Sequence, residues 1–171
     1  KAVPGVKHVV AVPAGVAVVA DGFWAAKTGR DALVVEWHGG PLADLATERQ
    51  SEEYARLARE PGAVARNDGD ARAALAGASS VIDATFDFPY LAHAAMEPVN
   101  AVADVKRDGT VEVWAPTQFP SAAHEHAARI AGVPPDKVRV HTTMIGTGFG
   151  RKGYYAQDFV VEAVQVSIAV G

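Results

Sequence analysis

Ile145-Gly146-Thr147-Gly148-Phe149-Gly150-Arg151-Lys152 places three glycines within five residues, shortly after the apolar run Val138-Arg139-Val140-His141. The apolar run reads as a strand, and the residues from Tyr154 onward read as a helix. Glycines at such a junction let the backbone take positive φ and come close to a ligand. A helix N-terminus behind them would offer free N–H groups and the positive end of a dipole. Arg151 and Lys152 add two cations. The stretch therefore predicts a loop that cradles an anionic or oxygen-rich group, the plain alternative being a glycine-rich turn with no ligand.

Gly148-Phe149-Gly150-Arg151-Lys152-Gly153 also fits G-x-G-x-x-G between a strand and a helix, the pattern that seats the pyrophosphate of NAD or FAD. A dinucleotide-binding module using Gly148, Gly150 and Gly153 is thus an alternative. That fold sets its fingerprint at the first strand, with an acidic ribose ligand about twenty residues later. Here the loop comes after a hairpin signal, and the sequence runs out where the acid is due.

Composition narrows the classes. Apolar residues make up 49% of the 171 and charged residues 21%, enough for a core under an ordinary solvated surface. The net charge of −4 gives no electrostatic case for nucleic acid or an anionic membrane surface. The sequence contains no cysteine, which excludes disulfides, thiolate metal sites and iron–sulfur ligation within it. That absence leaves the compartment, bacterial cytoplasm or periplasm, undecided. No apolar run reaches the length of a membrane span. The sequence opens at Lys1 without a methionine.

Organisation follows from punctuation. A short strand is expected over Val6 to Pro13 and a buried one over Val16 to Ala20. A helix from Phe23 to Thr28, capped by Asp21 and ended by Gly29, leads to another buried strand, Leu33 to Trp37. Strand, helix and strand in so short a span predict a β-α-β unit with parallel strands. A polar stretch follows, with a solvated helix over residues 47–59 begun by Ser51, and a short helix from Asp70 to Leu75. A second module is expected from Ser80, with strands over residues 81–86 and 99–105. Asp108-Gly109 turns the chain into Thr110 to Trp114, a hairpin signal. A helix over Ser121 to Ala131 precedes the glycine loop. In the final helix, expected over Tyr154 to Ala169, Phe159, Ala163, Val166 and Val170 recur at helical spacing and should face the core. The fold class expected is α+β: two α/β modules, the β-α-β unit with its polar connector over residues 1–79, then a mixed sheet with helices over residues 80–171.

Two further stretches carry chemistry. Ala92-His93-Ala94-Ala95-Met96-Glu97-Pro98-Val99-Asn100 sets a histidine and a glutamate in an apolar segment, where burial would demand partners for both. Trp114-Ala115-Pro116-Thr117-Gln118-Phe119-Pro120 holds Gln118 between prolines whose φ is fixed. A carboxamide so held can donate to a ligand oxygen while accepting elsewhere. His124-Glu125-His126 lacks the spacing of a helical metal site, because residues two apart point to different sides of a helix. Asp83 and Asp87 read as edge positions. No serine stands in an elbow motif, so hydrolase chemistry has no support.

Taken in order, these stretches resemble the molybdenum-cofactor-binding subunit of the xanthine dehydrogenase and aldehyde oxidase superfamily, most of all its isoquinoline 1-oxidoreductase beta-subunit branch. That branch shows A-H-A-P-M-E-P-x-N, here Ala92 to Asn100 with Ala95 replacing the proline, and V-W-A-P-T-Q-x-P, here Val113 to Pro120. Its G-G-G-F-G-[RG]-[KR] loop is Gly146 to Lys152, with Thr147 replacing the middle glycine. Val16 to Trp37 is similar to a further family segment, so the resemblance covers nearly the whole sequence.

The resemblance implies that Gln118 hydrogen-bonds an oxo ligand of molybdenum. It implies that Gly146, Gly148, Phe149, Gly150 and Arg151 line a molybdopterin, in dinucleotide form, and its phosphates. His93, Met96 and Glu97 would shape the site from behind. No residue here would ligate the metal, which the pterin dithiolene holds in this family. The family's glutamate base lies in a glycine-rich motif of a much longer subunit and has no match here. Gly153 stands where purine-oxidising members carry a substrate-contacting glutamate, which argues against purines. The expectation is a fragment of an oxidoreductase subunit that hydroxylates N-heteroaromatics or oxidises aldehydes and passes electrons to an iron–sulfur partner. The fragment alone is expected to bind no cofactor and to be inactive, and a non-catalytic assembly module is the third alternative.

Overall fold

The computed structural model describes residues 3–171, which form two compact units by contact: residues 3–33 with 90–171, and residues 34–89.

The first unit opens with an antiparallel hairpin of β1 (Val6–Val12) and β2 (Gly15–Ala20), in register from Val12 opposite Gly15 to Val6 opposite Ala20 with one irregularity near His8. Helix α1 (Phe23–Asp31) folds back on this hairpin. Two sequence expectations are corrected here. Gly29 does not end the helix but lies buried within it, where a Cβ would come to 2.8 Å from methyls of both Val6 and Val18. Its lack of a side chain sets the helix-to-hairpin distance. The N-terminal position is held by Gly22 with no side-chain cap, so Asp21 does not serve.

The expected β-α-β unit is also corrected, to strand–strand–helix. Leu33 to Trp37 forms no strand, and Val34 and Trp37 are almost fully exposed. An apolar run becomes a strand only when another edge accepts its backbone groups, and among the described residues none does so here.

The sheet that carries the site runs β3 (Val102–Val105), β4 (Val111–Ala115) and β5 (Val138–Thr142), in the order β3-β4-β5. The β3–β4 pair is antiparallel, joined through the Asp108-Gly109 turn, and the β4–β5 pair is parallel. The parallel pair requires a crossover, supplied by α4 (Pro120–Ala131; the two helices of the second unit are α2 and α3). Pro120 starts α4 and left-handed Gly132 closes it. The last helix, α5 (Asp158–Val170), packs on α4 and on β3. Strand alternation turns Val111, Val113 and Ala115 inward against Ala123 and Ala127 of α4 and Phe159, Val160 and Val164 of α5. The α+β class with a mixed sheet and helices is therefore as expected.

Helix α5 begins four residues later than its apolar periodicity implies. Of the expected core face, Phe159 is buried, while Ala163, Val166 and Val170 are half-buried beside β3; Val160 and Val164 reach the core instead.

In the second unit, α2 (Thr47–Leu57) buries no residue and is laced by Arg56 pairing with Glu53 and Glu60. It starts at Thr47 rather than Ser51. Helix α3 (Ala71–Ala76) is capped by Asp70, whose carboxylate accepts the Ala73 N–H at 2.9 Å. The strand expected over residues 81–86 is absent, and these residues are exposed. No helix among the described residues is long and apolar enough to cross a membrane.

Candidate cofactor-binding site

The parallel strands β4 and β5 end side by side, and each runs on into a functional segment. β4 delivers Pro116-Thr117-Gln118, and β5 delivers the glycine loop. The 92–100 segment closes against that loop. The Gly146 N–H donates to Glu97 Oε2 at 2.8 Å, and the Gly146 carbonyl accepts the Glu97 N–H at 2.9 Å. A Cβ on Gly146 would meet the Glu97 Cβ at 2.7 Å, which is why this position is glycine.

Thr147, which stands in place of the motif's middle glycine, has its own use. Its Oγ1 accepts the Met96 N–H at 2.9 Å, at the cost of a φ of 71°. The Phe149 carbonyl accepts from His93 Nδ1 at 2.7 Å, which assigns the proton to that nitrogen. Phe149 and Gly150 also have positive φ, 48° and 88°. Left-handed non-glycine residues are uncommon, and they cluster where surrounding contacts over-determine the backbone.

Lys152 is fully buried, and its ammonium pairs with the Glu97 carboxylate. Lys152 together with the Gly146 N–H holds the Glu97 carboxyl below its ordinary range. Arg151 forms a bidentate pair with Asp158 at 2.9 and 2.8 Å. That pair lowers the Asp158 pKa, and Asp158 in turn raises that of Arg151. Both cations of the loop are therefore matched by carboxylates within the chain.

The helix N-terminus expected directly behind the loop lies elsewhere. A 3-10 turn over Arg151–Gly153 intervenes, and Asp158 accepts the Phe159 N–H at the start of α5. The electropositive cradle inferred from sequence is replaced by neutral backbone donors. Among the described residues no acceptor takes the N–H of Gly148, Phe149 or Gly150.

Gln118 lies across from Gly148. A Cβ on Gly148 would sit 3.0 Å from the Gln118 Cδ and nearer still to Oε1. The Gln118 carboxamide is exposed and makes no hydrogen bond to a described residue, while the Gln118 backbone N–H donates to the Lys152 carbonyl at 3.0 Å. Phe149 projects with 71% of its surface open. A groove of about 480 Å³ runs beside the loop, lined by His93, Gly150, Arg151, Gly153, Tyr154 and Asp158.

Gln118, Gly146, Gly148, Phe149, Gly150 and Arg151, singled out from the sequence, thus stand together, with His93 and Glu97 behind them. Two participants were missed. Thr117 and Gln157 are buried and joined, Thr117 Oγ1 donating to Gln157 Oε1 at 2.6 Å. Thr117 could have been suspected as the neighbour of Gln118, but nothing in the sequence marks Gln157. His126 is a structural residue: Arg129 donates to its Nδ1 at 2.8 Å, and its Nε2 donates to the Tyr155 carbonyl at 3.0 Å. Tyr155 donates in turn to Glu125 at 3.1 Å, so this cluster ties α4 to the turn before α5.

Residues 54–170 match the family model for the molybdopterin cofactor-binding domain, and the chain belongs to that family. It is 33% identical to isoquinoline 1-oxidoreductase subunit beta of Brevundimonas diminuta over 99% of its own length and 22% of the relative's. It is 31% identical to the membrane-bound aldehyde dehydrogenase (pyrroloquinoline-quinone) of Gluconacetobacter polyoxogenes, over 91% of this chain and 20% of that one. The aldehyde oxidoreductase molybdenum-binding subunit PaoC of Escherichia coli O157:H7 is 32% identical over 58% of this chain and 13% of its own. The chain thus spans about a fifth or less of the length of these relatives. The family match favours molybdopterin over NAD or FAD. So does the fold, because the glycine loop here follows the last strand of its sheet rather than the first.

Proposed function

We propose that this chain is part of the large subunit of a molybdenum hydroxylase, with residues 80–171 forming the N-terminal part of its cofactor-binding domain. The parent enzyme would hydroxylate the carbon beside nitrogen in a heteroaromatic ring, or oxidise an aldehyde to the acid. The cofactor, a molybdopterin in dinucleotide form, supplies the oxidising centre that accepts two electrons from the substrate.

The observation that carries this reading is the pairing of Gln118 with Gly148. A carboxamide without a hydrogen bond among the described residues lies against a loop whose consecutive N–H groups at Gly148, Phe149 and Gly150 have no acceptor among them either. Such a set suits a ligand that turns oxygen acceptors toward the loop. Gln118 would donate to an oxygen ligand of the metal, the loop backbone would hold the pterin side, and Phe149 would pack on the bound cofactor. Glu97 and Lys152 fix the loop from behind and touch neither substrate nor cofactor. Arg151, paired with Asp158, positions the loop and reaches a phosphate only by sharing its guanidinium.

Two partners follow. The first is a small aldehyde or N-heterocycle. The second is an iron–sulfur subunit that takes the electrons, as the family resemblance implies. The relative from Brevundimonas is itself named as a subunit. The protein's share in such chemistry is orientation and electrostatics around a cofactor that performs the hard step.

The test is expression of the full reading frame with its neighbouring genes, followed by metal and pterin analysis and oxidation assays on N-heterocycles and aldehydes. Stoichiometric molybdenum with turnover of either class is expected. A purified, folded enzyme that carries another redox cofactor and no molybdenum would overturn the proposal.

A further inference from the structure

Gln157 is among the most buried side chains of the protein, yet it is polar and holds a left-handed φ of 46° immediately before α5. A glutamine there sacrifices backbone comfort and desolvates a carboxamide. Both costs need a return.

Its side-chain atoms bond Thr117, beside Gln118, and the carbonyls of the turn that leaves the glycine loop. Its Oε1 accepts the Thr117 hydroxyl at 2.6 Å. Its Nε2 donates to the Tyr154 carbonyl at 2.6 Å and to the Lys152 carbonyl at 3.3 Å. Carbonyls only accept, so the orientation of the carboxamide is fixed by its partners. The Lys152 carbonyl also accepts the Gln118 N–H at 3.0 Å, and Thr117 Oγ1 lies 3.3 Å from it. Thr117 Oγ1 in turn accepts the Phe119 N–H at 2.9 Å. One buried amide therefore ties the residues on both sides of Gln118 to the carbonyl that ends the glycine loop.

We propose that Gln157 is a positioning residue that sets the Gln118 carboxamide against the Gly148–Lys152 loop, acting through Thr117 and the Lys152 carbonyl. This rests on the reading that Gln118 faces the cofactor. Gln157 itself touches neither cofactor nor substrate. It makes the placement of Gln118 depend on a side chain forty residues beyond Thr117, so the two strand ends are locked together rather than left as independent loops.

Two variants of the full-length, cofactor-loaded enzyme test this. Gln157→Leu keeps the bulk and leaves the Thr117 hydroxyl and Tyr154 carbonyl without this partner. Hydrogen exchange at the Gln118 amide should accelerate, and kcat should fall about tenfold with KM unchanged, as an unsatisfied buried group would cause. Gln157→Glu keeps the shape but, when ionised, turns an acceptor toward two carbonyls. Protonation restores a donor, so its kcat should rise as pH falls, a limb that wild type and Gln157→Leu lack.

Combined with Gln118→Ala, Gln157→Leu should cost little more in kcat, because its effect passes through Gln118. Unchanged exchange at Gln118 in Gln157→Leu, or fully additive losses in the double variant, overturns the proposal. Faster exchange with unchanged kcat upholds the positioning and instead removes Gln118 from the proposed function.

Discussion

The buried ammonium of Lys152 pairs with the carboxylate of Glu97, fifty-five residues earlier in the chain, and this pair closes the glycine loop onto the His93–Asn100 segment. The same carboxylate accepts the Gly146 N–H, so one group holds both ends of the loop. A cation that the sequence offers as a ligand for phosphate is spent inside the protein.

Glu97→Gln should therefore loosen the loop in a pH-dependent way. The folded-state pKa of Glu97 is held below the ordinary glutamate value of 4.5, chiefly by Lys152. A depressed carboxylate pKa contributes stability that is fully present above 4.5 and is lost as pH falls through the lower folded value. Thermal melts of the full-length protein should show wild type losing stability in that acidic window. Glu97→Gln should start lower at neutral pH and change less there. Parallel pH profiles would contradict this role.

Gly146→Ala and Gly148→Ala should fail differently, though both are small additions to one loop. At Gly146 the new Cβ meets the root of the Glu97 side chain, which cannot swing away without moving backbone. Overpacking of that kind costs about 1–3 kcal/mol, and the melting temperature should fall. At Gly148 the new Cβ meets the flexible end of Gln118. That variant should keep its stability and metal content but lose kcat by displacing the carboxamide. Equal melting temperatures and equal kcat for the two would refute the distinction.

Gly29→Ala tests the corrected reading of α1. Crowding against Val6 and Val18 should cost about 1–3 kcal/mol, partly offset by up to about 1 kcal/mol from the better helix propensity of alanine. Net destabilisation is expected in denaturant melts. A more stable protein would mean that Gly29 marks a helix end after all.

How far the sequence carried these conclusions differs by element. The hairpin at Asp108-Gly109, the helix expected over Ser121 to Ala131 and the strand before the glycine loop were legible, because each has a local signal that its tertiary setting reinforces. Leu33 to Trp37 has the pattern of a strand, but pairing is a property of two segments and no local pattern supplies the second. Gly29 was misread for a related reason, since a glycine that ends a helix and one that admits a neighbour look alike in sequence. Of the site, Gln118 and the glycines were found through the family's motifs. The neutralisation of Arg151 by Asp158 and of Lys152 by Glu97 depends on side-chain reach across a turn and across the chain. Gln157 carries no motif at all, and its importance lies entirely in what folds around it.

The isolated 171-residue chain should bind neither molybdenum cofactor nor a nicotinamide or flavin dinucleotide. The Asp158 carboxylate at the start of α5 and the pairing of Arg151 and Lys152 with carboxylates weaken the loop as a seat for a pyrophosphate. Calorimetric titration with NAD, NADP and FAD should show no heat of binding. Saturable binding abolished by Gly150→Ala would revive the dinucleotide alternative.

The most direct measurement is metal content and kcat of Gln118→Ala in the full-length enzyme. With the carboxamide donating toward developing charge at the metal's ligands, its removal should cost about 3 kcal/mol of transition-state stabilisation, a rate loss of roughly a hundredfold, while molybdenum loading stays at the wild-type level. Wild-type kcat at full loading would contradict the role assigned to Gln118 and, with it, the site proposed here.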